Sequence, residues 1–150
     1  MEVIRLHATC VAINDKGVLF TGESGAGKSD LALRLIDRGA ALVADDQVEI
    51  TRDGVSLVAS APESIKGLLE VRGLGIFILP VKDKVIISLV VSLEMPTHIE
   101  RLPAPQQYLC NGIKIPLIHL TSFELSSPIK VEMALNALKN NSIKVGALRE

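Results

Sequence analysis

The feature that most constrains this chain is a glycine-rich segment, Gly22–Ser29, which reads G-E-S-G-A-G-K-S. An apolar run ending at Phe20 precedes it, and an apolar stripe with helical spacing, from Leu31 to Ile36, follows it. Strand, glycine loop and helix in this order are the context of a phosphate-binding P-loop. The glycines let backbone N–H groups turn toward phosphate oxygens, and the helix N-terminus adds its positive dipole end. The alternative is a glycine-rich turn that only resembles the motif.

The chemistry of the loop predicts ATP and Mg²⁺ as cofactors. The ammonium of Lys28 brings a full charge to the transferred phosphoryl group, and the Ser29 hydroxyl is a suitable Mg²⁺ ligand. The predicted nucleotide-binding residues are Gly22, Glu23, Ser24, Gly25, Ala26, Gly27, Lys28 and Ser29.

Two adjacent carboxylates, Asp45 and Asp46, follow the short apolar strand predicted at 41–44. A right-handed β–α–β crossover is expected to place this strand directly beside the strand before the loop, with its carboxyl end near the phosphates. One carboxylate there can bind the water shell of a metal ion while the other accepts a proton from an attacking hydroxyl. The alternative is a pair of solvated turn aspartates.

Length and composition predict one mixed α/β domain over residues 1–150, with more strand than helix. Apolar residues make up 48% of the chain, but there are only three Phe, one Tyr and no Trp, so the core must consist of Val, Ile, Leu and Ala. Strands are predicted at 3–13, 17–21 and 85–93, a helical segment from Pro62, and a final helix at 129–140. Asn111-Gly112 marks a hairpin turn.

Charge and cysteine usage exclude several classes of protein. With 16 Lys and Arg against 17 Asp and Glu, nothing favours nucleic acid as a partner. The longest apolar run, Val85–Leu93, is far shorter than the ~20 residues of a membrane helix. No signal peptide is visible, and Cys10 and Cys110 are expected to be buried thiols of a cytoplasmic protein.

Two stretches, GESGAGKSDLALRLIDRGAALVADDQVEI and LLEVRGLGIF, resemble the HPr kinase/phosphorylase family. Members of this family phosphorylate a serine of the small phosphocarrier protein HPr. The resemblance covers roughly residues 5–101, with a weaker extension to the C-terminus. It implies a P-loop α/β fold of the HPr kinase/phosphoenolpyruvate carboxykinase type, with a strand-rich mixed sheet and few helices. It also implies a homo-oligomer, a hexamer in full-length members, and a substrate that is HPr or its nitrogen-system paralogue.

The resemblance assigns roles to individual residues. Asp46 matches the aspartate that acts as base in phosphorylation and as acid in the reverse reaction, and His7 matches the histidine that assists it. With Asp46 in this role, Asp45 is the carboxylate of the pair that we predict to serve the metal ion. Lys28 and Ser29 match the loop lysine and the metal-binding serine. Glu70 heads the E-V-R-G-L-G-I stretch and matches a second metal ligand.

Phosphoryl transfer needs positive charge in addition to that of the loop. The family resemblance assigns this charge to Arg101, which falls where the family has a catalytic arginine. Arg72 is an alternative source of this charge, or else an arginine held in a structural salt bridge.

The chain departs from the family pattern at two places. His7 lies almost at the start, so the chain resembles the short alphaproteobacterial form that lacks the N-terminal domain. Residues 121–128 read T-S-F-E-L-S-S-P where the family has a proline-glycine-arginine loop associated with phosphorolysis. This departure does not affect the kinase interpretation, but it argues against the reverse, phosphate-dependent reaction. A small-molecule kinase and a nucleotide-binding regulatory module are the alternative functions.

Overall fold

Apolar runs separated by turns such as Asp53-Gly54 and Asn111-Gly112 give the chain more strand than helix, as the sequence predicts. The computed structural model describes residues 2–148, which contain eleven strands and two α-helices. The elements are β1 (Val3–Leu6), β2 (Thr9–Ile13), β3 (Lys16–Thr21), α1 (Lys28–Asp37), β4 (Ala41–Ala44), β5 (Val48–Asp53), β6 (Ser56–Ser60), β7 (Leu68–Val71), β8 (Gly75–Ile78), β9 (Val85–Leu93), β10 (Gln106–Cys110), β11 (Ile113–Leu120) and α2 (Ser127–Asn140). The predicted mixed α/β fold with few helices is confirmed.

Strand β9 is the centre of a nine-stranded sheet. Seven of its strands follow the order β1-β5-β6-β9-β3-β2-β4. The other two branch from β9, since β11 pairs with β9 and β10 pairs with β11. Strands β3 and β11 both pair with β9 in parallel. The carboxyl ends of these three strands therefore meet at one edge of the sheet, and the glycine loop leaves β3 at this edge. Strands β7 and β8 form a separate hairpin.

The expected neighbour relation between β3 and β4 is wrong. Strand β2 lies between them and pairs antiparallel with both. Because two antiparallel steps restore the direction, β3 and β4 still run the same way, roughly 10 Å apart at two strand spacings. The carboxyl end of β4 therefore still lies at the same end of the sheet as the glycine loop, although β2 separates β4 from β3.

Two other predicted elements differ from the structure. The predicted strand 3–13 is divided at His7-Ala8 into β1, which pairs with β5, and β2, which pairs with β3 and β4. At the division the Ala8 N–H donates to the Asp46 carbonyl oxygen (3.2 Å) instead of continuing a ladder. The helical segment expected from Pro62 is only a 3₁₀ turn, Glu63–Ile65.

The sheet is buried on both faces. One core cluster contains Leu19 and Val90 and consists of residues from the strands of the sheet and the segments between them, with none from α1 or α2. The other contains Phe20 and Val91 and lies under α1 and α2. Neighbouring residues of one strand thus enter opposite clusters, as strand geometry requires, which explains the continuous rather than alternating apolar runs in β3 and β9.

The two cysteines are free and buried, as expected. Burial raises the pKa of the Cys10 thiol to about 12, so the thiol stays protonated and behaves as a small apolar group. Neither helix within residues 2–148 has the length and apolar character that crossing a membrane demands.

Candidate active site

The glycine loop has the backbone conformation that its glycines predict. Gly22, Gly25 and Gly27 have φ values of 146°, 85° and 93°, in a region that residues with a Cβ seldom occupy. The loop closes through the Ala26 N–H, which donates to the Glu23 carbonyl oxygen (3.0 Å). Gly27 is the N-cap of α1, so the loop runs directly into the positive end of a helix dipole.

Lys28 lies beneath the loop with its side chain folded back toward it. Its Nζ donates to the carbonyl oxygens of Gly22 (2.7 Å) and Glu23 (3.0 Å), and the residue is only 7% exposed. A buried ammonium with two carbonyl acceptors is held in place by the loop, and it puts a full positive charge at the beginning of the glycine segment.

Substitution of Gly27 by Ala is expected to destabilise the protein more than substitution of Gly25. Both glycines have left-handed φ, which costs an L-residue about 1–2 kcal/mol. A Cβ on Gly27 would also lie 2.7 Å from the Ser122 Cβ and closer still to its Oγ, whereas a Cβ on Gly25 meets nothing within 4 Å. Overpacking adds about 1–3 kcal/mol. Thermal unfolding of Gly27→Ala and Gly25→Ala measures the difference, and equal melting temperatures would contradict the contact with Ser122.

Asp45 is buried where three elements meet. Its Oδ1 accepts hydrogen bonds from the Thr9 hydroxyl (2.9 Å) and the Ser29 hydroxyl (2.6 Å). Its Oδ2 faces the backbone N–H of Glu70 at 3.4 Å. With 6% exposure, this carboxylate joins β2, α1 and β7, and it is satisfied by donors rather than solvated as in the turn-aspartate alternative.

Asp46 has the opposite environment. Its φ of 70° reverses the chain, a conformation that aspartate tolerates better than most residues. Its Oδ1 lies 3.1 Å from the Nε2 of His7, and the two side chains are 68% and 60% exposed. The structure therefore separates the two neighbouring carboxylates into one that is buried against the loop and one that faces outward beside a histidine.

Oxygen ligands suitable for Mg²⁺ lie together at the start of α1. The Ser29 hydroxyl and the Asp45 carboxylate are in contact. Glu70, the other predicted ligand, contacts Asp45 through its backbone N–H and is an exposed residue. Within residues 2–148 no group of three or more His, Cys, Asp or Glu side chains forms a metal cage by itself. Mg²⁺ is usually held by one or two carboxylates together with waters and substrate phosphates, so this donor set fits that ion.

The two arginines considered for charge stabilisation lie on the surface. Arg101 lies between β9 and β10, Arg72 follows β7, and both are exposed. Among residues 2–148 neither side chain forms an ion pair or hydrogen bond, so both interpretations of Arg72 stay predictions. The role of Arg101 stays a prediction.

Sequence reasoning missed two residues of the site. Thr9 supports Asp45 from β2, and Ser122 packs against the loop after β11. The only local signal for either is a polar residue at the end of an apolar strand, which is too common to select them. Their importance depends on strand order.

Known proteins are similar to this chain over nearly all of its length. The family model described as the HPr Serine kinase C-terminal domain matches residues 1–144. The HPr kinase/phosphorylase of Caldicellulosiruptor bescii is 38% identical over 155 aligned residues, which cover 95% of this chain and 50% of the relative. The Bordetella pertussis protein of the same name is 37% identical over 145 residues, covering 95% of this chain and 46% of the relative. The chain thus spans about half the length of the curated relatives it matches.

A solved structure is also similar. The Hpr(Ser) kinase/phosphatase from Coxiella burnetii aligns with a TM-score of 0.82 and 29% sequence identity, covering 92% of this chain and 97% of that one.

Proposed function

We propose that this chain, which belongs to the family of HPr serine kinase C-terminal domains, transfers the γ-phosphoryl group of Mg-ATP to a serine of HPr or of its nitrogen-system paralogue. The proposal goes beyond family membership because it assigns the activity to this chain, which corresponds to about half of the named relatives.

The observation that carries the proposal is the exposed pair formed by Asp46 and His7, next to a buried Asp45 that contacts the glycine loop. A base that takes a proton from a serine of a folded protein must be reachable from outside. With its side chain 68% exposed, Asp46 meets this requirement. A small-molecule kinase generally encloses its substrate to exclude water, and the open position of Asp46 favours a protein substrate instead.

Asp46 is proposed as the general base. The serine oxygen of the substrate attacks the γ-phosphorus, the bond from that phosphorus to the ADP oxygen breaks, and the serine proton passes to the Asp46 carboxylate. His7, 3.1 Å from Asp46 Oδ1, orients the carboxylate toward the hydroxyl.

The remaining residues bind and neutralise the phosphates. The loop N–H groups and Lys28 hold the phosphate chain, while Ser29, Asp45 and Glu70 would hold Mg²⁺. When bound, the ion supplies charge neutralisation for the phosphate oxygens. Arg101 is proposed to add positive charge as the transfer proceeds.

We propose that transfer to the protein serine is the main direction of catalysis. The segment from Thr121 to Pro128 has no arginine or glycine, and in this structure Ser122 contacts the glycine loop from that segment. The reverse, phosphate-dependent reaction is therefore expected to be weak, and incubation of labelled product with excess inorganic phosphate measures it.

We further propose a cytoplasmic homo-oligomer, with a hexamer as the form implied by the family. The free, buried thiols support a reducing compartment. Light scattering of the purified protein measures the oligomer mass.

The function is tested by transfer of labelled γ-phosphate from Mg-ATP to purified HPr and to the paralogue. An HPr variant that lacks the target serine is the control. We expect label that depends on the serine. If nucleotide binds but neither carrier is labelled, the protein-kinase proposal fails, and a small-molecule kinase or a regulatory module takes its place.

A further inference from the structure

The segment between β11 and α2 lies against the glycine loop. Ser122 in this segment is 1% exposed, and its hydroxyl donates to the Ala26 carbonyl oxygen at 2.6 Å. From this contact we infer that Ser122 is a positioning residue of the phosphate loop and thereby sets the affinity for nucleotide. The inference rests on the proposed function, because it takes the loop to bind nucleotide phosphates.

The contact orients one peptide unit of the loop. In a trans peptide the C=O and the following N–H point in opposite directions, and the chain has no cis peptide bond among residues 2–148. A hydrogen bond that holds the Ala26 carbonyl against Ser122 therefore directs the Gly27 N–H away from Ser122. Backbone N–H groups at this point of a P-loop are phosphate donors, so the hydroxyl fixes a donor without touching the ligand itself.

Glycine at position 27 allows this close approach. A Cβ on Gly27 would lie 2.7 Å from the Ser122 Cβ, a separation that packed atoms do not tolerate. The residue before the loop lysine is thus glycine for two reasons, its φ of 93° and the space that Ser122 occupies.

Ser122 is itself held by α1. The guanidinium of Arg34 on α1 donates to the carbonyl oxygens of Ser122 and Glu124 and also pairs with Asp30 (3.0 Å). Because Arg34 restrains its backbone, Ser122 presents its hydroxyl to the loop in one orientation, which is the condition for preorganised binding. The buried Ser127 hydroxyl, at the start of α2, donates to the Thr121 carbonyl oxygen at 2.5 Å and not to Ser122 or to the glycine loop.

The chain contains a matched control for the decisive experiment. Ser122→Ala and Ser127→Ala each remove one buried hydroxyl that donates to a backbone carbonyl, but only the first carbonyl belongs to the glycine loop. Calorimetry with Mg-ADP and with a non-hydrolysable Mg-ATP analogue measures affinity, and thermal unfolding measures stability. We expect Ser122→Ala to bind both nucleotides about fivefold more weakly, equivalent to one neutral hydrogen bond. The Ser127→Ala variant should stay within about twofold of the unaltered chain although it loses a similar bond.

Two further readouts separate positioning from general stability. In ¹⁵N-labelled protein the Gly27 amide resonance should shift in Ser122→Ala and stay in place in Ser127→Ala. Arg34→Met, which keeps the length of the side chain but removes its donors, should weaken nucleotide binding in the same direction because Ser122 loses its anchor.

The outcomes distinguish this inference from the proposed function. If the unaltered chain binds no nucleotide, both fail. If it binds nucleotide but Ser122→Ala and Ser127→Ala weaken binding equally, or neither weakens it, the positioning role alone is overturned. Should Ser122→Ala fold poorly, Arg34→Met decides alone: unchanged affinity in that variant overturns the inference.

Discussion

An Asp46→Asn variant is expected to transfer phosphate to the carrier serine about a thousandfold more slowly, within the 10²–10⁴ range that a general base contributes. Asparagine keeps the shape of the side chain and tolerates the φ of 70° at this position, but its amide cannot accept the serine proton. Mg-ATP affinity should be unchanged, because the Asp46 side chain faces away from the loop contacts made by Asp45. The initial rate of label transfer gives kcat, and calorimetry gives the nucleotide dissociation constant.

Asp15→Asn is the matched control for this experiment. Asp15 also has a left-handed φ, of 64°, and also forms an exposed ion pair, with Lys82 at 2.9 Å, but it lies in the β2–β3 turn, at the opposite end of these strands. Its substitution should leave kcat unchanged. A normal kcat in Asp46→Asn would remove Asp46 from the role of base. If the unaltered chain and Asp46→Asn both bind nucleotide but neither transfers phosphate, the protein is a nucleotide-binding module instead.

A Lys28→Met variant is expected to lose at least about 100-fold in kcat. Removing one preorganised donor that stabilises the charge developing in a transition state typically costs about that much. Methionine retains the apolar stem of the buried side chain but removes the ammonium that donates to Gly22 and Glu23. The loop carbonyls then lose their donor, so nucleotide affinity should fall together with kcat. Single-turnover transfer at saturating Mg-ATP separates the two effects.

The control for Lys28→Met is Lys66→Met, which removes an ammonium from a surface pair with Asp83 (2.7 Å). Exposed pairs contribute about 0–1 kcal/mol, so this variant should keep both affinity and kcat. If Lys28→Met is folded by thermal unfolding and still transfers phosphate at the normal rate, the loop is not the phosphate site.

Elements with strong local signals were predictable from the sequence. The Asn111-Gly112 turn does join β10 to β11, and Val85–Leu93 is a single strand with the predicted bounds, since turn chemistry and apolar runs act over a few residues. The prediction of one continuous strand at 3–13 was wrong, because the structure has two strands there, β1 and β2. The interruption at Ala8 depends on a hydrogen bond to Asp46, a residue distant in sequence.

The neighbour relation of β3 and β4 shows a second limit. The crossover rule applies to parallel neighbours joined through a helix, but here the hairpin partner β2 occupies the position between them. The inference that the Asp45-Asp46 end of β4 faces the loop survived because direction, not adjacency, determines which edge of a sheet a strand reaches.

The sequence by itself determined the conformation of the glycine loop, because glycine spacing, the following lysine and serine, and the flanking strand and helix are all local and enforce one backbone path. It also identified Asp45 and Asp46 as a pair. Only the tertiary structure decided that Asp45 is buried against Ser29 and Thr9 while Asp46 faces outward beside His7, and that Ser122 supports the loop from another strand end. The physical reason is that these contacts join residues far apart in the chain, and only the strand order brings them within hydrogen-bonding distance.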